Sequence, residues 1–186
     1  ARLTLRHTFR RMSQTDFAVS QSYVALTVIL PRWNGIQIVL GSHLMLYSQV
    51  ASHLRQRGEL LLSGQIDRMI ADYVYPLPVF MQATRLVITS PVHAWVVFDH
   101  LRRALVDRGV VMLRPTVSAI DLPKAGRFRV WVDWHEIAFP AETSRVSQAV
   151  YYCRSTSLGL RTEMLNYTHP SMPELDQQFQ ALALSA

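Results

Sequence analysis

Three strand-like segments follow one another between Arg127 and Tyr167, and this run constrains the fold more than any other part of the chain. Residues 127–139 (RFRVWVDWHEIAF), 145–155 (RVSQAVYYCRS) and 160–167 (LRTEMLNY) are dominated by β-branched and aromatic side chains, which suit a pleated, half-buried surface. Gly126, Pro140 and Gly159 punctuate them, so consecutive antiparallel strands in a strongly bent sheet are expected. Side chains alternate across a strand. Phe128, Val130, Val132 and Trp134 therefore share one face, and Trp131, Asp133, His135 and Ile137 the other. The first set is the more apolar and is the expected core face.

Helices precede these strands. Leu44, Leu46, Val50 and Leu54 recur at near-helical spacing, and Ser63 with Asp67 opens a second periodic stretch through Ile66, Met69, Ile70 and Tyr73. Pro76 and Pro78 stop it, after which residues 79–81 and 86–89 form two short apolar runs consistent with a small hairpin. Ser90 and Pro91 are an N-cap and first helical residue, opening a third helix that Gly109 ends. Its expected buried face carries Trp95, Phe98, Leu101, Leu105 and Val106, with Asp99, Arg102 and Arg103 opposite. A long strand over 110–122 and a final helix over 173–184, packed outside the sheet, complete the order. Asn34-Gly35 between the apolar runs 24–30 and 36–40 is a local hairpin signal, opposed by Pro31.

With 186 residues, 49% hydrophobic and 17% charged, one domain with a sizeable core is expected. The net charge of +6 is uneven: residues 1–60 carry seven Arg against two acids, residues 61–186 twelve Lys and Arg against eleven acids. That is a basic extension on a balanced body, not a basic stripe across a folded face, and it disfavours nucleic acid as a partner. Residues 1–42 are read as that extension, of uncertain structure, and 43–186 as the domain. The extension has the Arg-rich, acid-poor composition of a targeting segment, yet it begins at Ala1, which leaves open whether it is the natural start. Residues 23–31 are too short an apolar run to cross a bilayer, so a cytoplasmic protein with no membrane partner is expected. Cys153 lies inside an apolar strand and is expected to be a small buried residue.

The order helix, helix, hairpin, long helix and four consecutive strands resembles the NTF2-like (SnoaL-like, cystatin-type α+β) superfamily. The matching residues are the helix 64–73 running into Tyr75-Pro76-Leu77-Pro78, the helix from Pro91 to Gly109, the strand 128–134, the pair Tyr151-Tyr152 and the closing 163–167. The resemblance covers roughly 43–180. It implies an α+β fold in which a curved antiparallel sheet wraps around a long helix, forming a cone with a pocket at its wide end. It also implies a homodimer formed through the sheet. Fold does not fix function.

Ketosteroid isomerase-like relatives carry a general-base carboxylate on the strand after the second helix, where residues 78–82 here read PVFMQ and hold none. Two readings stay open. The first is a binding module for a small hydrophobic molecule or a protein partner, with Tyr73, Phe80, Trp95 and Tyr152 as candidate ligand contacts. The second is an enzyme of the polyketide-cyclase, dehydratase or isomerase type, with Asp133, His135, Glu163 and Tyr151 as candidate catalytic groups. Alternation favours Asp133 and His135 as a solvated outer pair, and Glu163 fits as readily as a partner of Arg129, Arg145 or Arg154 on adjacent strands. The seven His are scattered, and no glycine-rich phosphate loop, nucleophile elbow or zinc-protease motif is present. No metal and no cofactor are expected.

Overall fold

The structure is a computed structural model that describes residues 36–82, 84–139 and 145–172, together with 178, 179 and 181. Helix α1 (Ile36–Leu62) leads through Ser63 and Gly64 into the short helix α2 (Ile66–Ile70). Strands β1 (Leu77–Met81) and β2 (Thr84–Ile88) form the expected hairpin, with Met81 opposite Thr84 at its tight end. Helix α3 (Pro91–Asp107) follows, capped as its sequence predicts: the Ser90 hydroxyl accepts from the His93 N–H at 3.2 Å, and Pro91 fills the first position. Gly109, at φ +73°, supplies the left-handed turn that sends the chain into β3 (Val110–Ile120). Strands β4 (Arg127–Ala138), β5 (Arg145–Thr156) and β6 (Gly159–His169) come next.

All six strands form one sheet in the order β2-β1-β6-β5-β4-β3. Neighbours run antiparallel except β1 and β6, which are parallel. That parallel pair closes the N-terminal hairpin onto the last strand, and it continues at Tyr73, whose neighbours Asp72 and Val74 exchange backbone bonds with Thr162. Register shifts leave an extra residue in β3 at 110/112 and 117/119, and in β6 opposite 148/149 and 152/153, and break the ladder there. The sheet is the curved wall of a cone around α3. Its edge strand β3 holds Pro115 in register with Trp134, a position a proline can occupy only where its missing N–H is not needed by the partner strand.

Burial settles the register of β4. Phe128, Val130, Val132 and Trp134 are buried, while Trp131, Asp133, His135 and Ile137 are partly exposed on the other face. A one-residue slip would uncover four side chains at about 1.5–3 kcal/mol each, far more than the roughly 0–1 kcal/mol of an exposed Asp–His pair.

Two expectations are corrected. Residues 36–40 are not the second arm of a hairpin but the first turns of α1. The run Ile-Gln-Ile-Val-Leu reads equally well as strand or helix, and the helical spacing downstream decides it. Residues 24–35 lie outside the described residues. The inner face of α3 is also turned relative to its expected position, toward Ala94 and Val97, leaving Trp95 38% exposed and Val106 exposed. Asp99 is buried instead, held by Arg102 at 3.0 Å and Arg103 at 2.6 Å. The expected final helix lies largely outside the described residues; Gln178, Phe179 and Ala181 are helical, and Phe179 packs into the core. Among the described residues no helix is long and apolar enough to cross a membrane.

Candidate functional site

Helix α1 approaches the sheet most closely at Gly58. A Cβ there would lie 2.9 Å from the Leu113 carbonyl oxygen and 3.1 Å from the Trp134 ring, so the helix can sit this deep only because the side chain is absent. The approach carries the neighbouring Arg57 inward, where it is only 7% exposed. Its guanidinium carbon lies 4.6 Å from the ring centroid of Tyr73, 5.3 Å from that of Tyr151 and 5.5 Å from that of Phe98, all within cation–π range. Tyr73 in turn stacks on Phe98 at 5.3 Å. Among the described residues no carboxylate is paired with Arg57.

Beside Arg57 is a cavity of about 80 Å³ between α1, α3 and the inner face of the sheet. At roughly 10–15 Å³ per water it has room for several waters, or for one ring or a short chain. Val79, Met81, Phe98, Leu105 and Leu113 make most of its wall apolar. Residues 170–172 and Phe179 complete the enclosure.

The polar groups of the lining are few and connected. The Trp134 indole donates to the Tyr151 hydroxyl at 3.0 Å, and the Tyr167 phenol interacts with that of Tyr151. Burial raises the Tyr167 phenol above its usual range, helped by Tyr151 and opposed by the Arg57 charge. Glu136, 3% exposed, extends the inward alternation of β4 by one more step; it accepts from the Ser171 hydroxyl and lies 4.0 Å from Arg108. Ser171, two residues past the end of β6, is thereby tied to β4. His53, beyond Arg57 on α1, has its pKa lowered by burial and by the Arg57 charge, against a smaller opposing pull from Asp72 at 3.8 Å.

The structure separates the candidates drawn from the sequence. Tyr151 lines the cavity. Asp133 and His135 are on the outer face of the sheet, where Asp133 accepts from Ser118 at 2.5 Å and Gln148 at 2.9 Å. Glu163 is paired with Arg154 at 2.5 Å and Arg127 at 2.9 Å. Of the ligand-contact candidates, Tyr73 is buried behind Arg57 without lining the cavity. Phe80 lies under Arg85, with the guanidinium 5.5 Å from its ring centroid, while its neighbours Val79 and Met81 face the hollow. Tyr152 is on the outer side, in register with Arg129, and Trp95 is at the surface. Cys153 is buried, and burial pushes its thiol up to about 12, so it is protonated at neutral pH. Among the described residues no group of three or more His, Cys, Asp or Glu is placed to hold a metal ion.

Arg57 and Glu136 went unread in the sequence. Glu136 was within reach, since counting on from Phe128 by twos arrives at it. Arg57 shares the helical face of Val50, Leu54 and Leu61, but a charged side chain at such a position reads as solvated, and its depth comes from how closely Gly58 lets α1 settle.

No protein-family profile and no curated protein matches the chain by sequence. Solved structures do match in shape. An NTF2-like protein with a cystatin-like fold from Novosphingobium aromaticivorans superposes with a TM-score of 0.55 at 13% identity, over 80% of this chain and 98% of that one. ActVI-ORFA from Streptomyces coelicolor gives a TM-score of 0.51 at 12% identity, over 67% and 94% of the two chains. A putative scytalone dehydratase from Novosphingobium aromaticivorans gives 0.51 at 9% identity, over 70% and 88%. At such identities the likeness is one of fold.

Proposed function

We propose, on the premise that the chain has the NTF2-like fold, that it binds a small hydrophobic molecule in the cavity beside Arg57. The observation that carries this reading is the composition of the cavity wall: apolar over most of its area, with a few connected polar groups at one side, as in sites that orient a ligand. The enzymatic alternative is weaker. Of its four candidate groups only Tyr151 reaches the cavity, whereas Asp133, His135 and Glu163 are on the outer face, Asp133 and Glu163 with partners of their own. Among the described residues the buried Glu136 is the one carboxylate of the lining, and it is already bonded to Ser171. The same reading takes the protein as a cytoplasmic homodimer in contact through the outer face of the sheet.

Native mass spectrometry of the protein purified from its own host tests the central claim. A bound species of a few hundred daltons, lost on unfolding, is expected. A bare chain mass, together with a melting temperature unmoved by a panel of small apolar molecules, would overturn it.

A further inference from the structure

We infer that the ligand of this cavity is an acid: a molecule of one aromatic ring or a short chain whose carboxylate lies in the plane of the Arg57 guanidinium and reaches the Tyr151–Tyr167 pair. This rests on the binding reading above and adds the chemical class of the ligand.

Arg57 is a buried charge with no counter-charge among the described residues. Arginine stays protonated at any pH at which a protein is folded, and taking it out of water is costly unless its charge and its donors are both met. Around Arg57 the rings of Tyr73, Tyr151 and Phe98 offer their faces, which attract the cation. They leave a planar fork of five N–H donors whose best partner is an anionic pair of oxygens in the same plane. No described carboxylate takes that role, and the buried acid of the same lining, Glu136, faces Ser171 and Arg108. Burial raises the Cys153 thiol and the Tyr75 and Tyr167 phenols, and in all three the Arg57 charge pulls the other way. A positive field therefore reaches the groups on several sides of it.

Proton counting on the tyrosines points the same way. Tyr151 accepts from the Trp134 indole, and the Tyr167 phenol interacts with that of Tyr151. Two phenolic protons are present and at most one can be used between them, so at least one remains to be donated to a third oxygen. A carboxylate between Arg57 and this pair would accept from both, with its apolar remainder against Phe98, Leu105 and Met81.

Benzoate and benzamide, equal in shape and different in charge, test the inference by calorimetry and by NMR of the full chain. Benzoate is expected to bind at least about ten-fold more tightly than benzamide. It alone should shift the Arg57 Nε–H signal, and both should shift the Trp134 indole N–H. Arg57→Leu should bring the two affinities together, and Arg57→Lys, which keeps the charge without the planar fork, should narrow the gap. Should Arg57→Leu not fold, the Arg57 signal in the unaltered protein carries the test. If benzamide binds as well as benzoate, the acid inference fails while the binding reading stands. A benzoate preference that survives Arg57→Leu, or that leaves the Arg57 signal unmoved, also overturns it. Neither probe binding up to millimolar concentration removes both.

Discussion

Gly58 and Arg57 are adjacent on α1, and one makes the other possible. Replacing Gly58 by Ala would set a methyl against the Leu113 carbonyl, a backbone atom of a residue in register with Glu136, and against the Trp134 ring. Neither can yield cheaply, so Gly58→Ala is expected to destabilise the fold by about 1–3 kcal/mol even though alanine is the better helix former. The check is the denaturant midpoint, which should fall with the slope unchanged. A variant as stable as the parent would show that α1 can lift from the sheet at no cost. The same pair marks how far single residues could be read in advance. Tyr151 was picked out as a functional candidate and lines the hollow, while Asp133 and His135 followed the alternation to the outside. Arg57 differs from the exposed Arg55 only in falling on the helical face of Val50, Leu54 and Leu61, and its charge argues against burial there.

At the level of elements, legibility tracked the strength of the period. Strands β4, β5 and β6 lie within one or two residues of their expected limits; β4 alternates along its whole length, while β5 and β6 are bounded by Gly159 and by β-branched and aromatic content. Helix α3 was found with both ends in place but with its inner face turned. Apolar residues lie all round it, with Val92, Trp95, Val96 and Val106 exposed, so the hydrophobic stripe is too diffuse to fix a rotation. Its start is the sharpest local signal in the chain. The Ser90 hydroxyl meets the His93 N–H, and Ser90→Ala would leave that donor to solvent at a cost of about 1 kcal/mol. Thermal melting should record a lower midpoint for Ser90→Ala and near-parental behaviour for Ser90→Asp, another good cap. Equal losses in both would mean that the hydroxyl does not cap the helix.

For the whole molecule, the buried acids of the core set a pH limit. Burial pushes the Cys153 thiol and the Tyr75 phenol up to about 12, and raises the Tyr167 phenol too, whereas in the unfolded chain they ionise near their ordinary 9 and 10. The folded values lie above the unfolded ones, so their contribution is whole below pH 9 and drains away as pH climbs toward 12. His53 acts at the other end: its pKa is lowered, so the unfolded chain takes up its proton first and stability is lost as pH falls below 6.5. Urea midpoints measured across this span should form a plateau with both shoulders, and a midpoint still rising above pH 10 would contradict the alkaline one. Light scattering should give twice the 21.3 kDa chain mass if copies pair through the sheet, and a single-chain mass at micromolar concentration would remove the homodimer.

Pro115 on the rim strand β3 bears on how copies can meet. A newcomer strand laid along that border would find a donor missing midway, so zipper-like growth into fibrils is discouraged at β3. Broadside contact is unaffected, and the molecule can associate in pairs without this border becoming a template for endless addition.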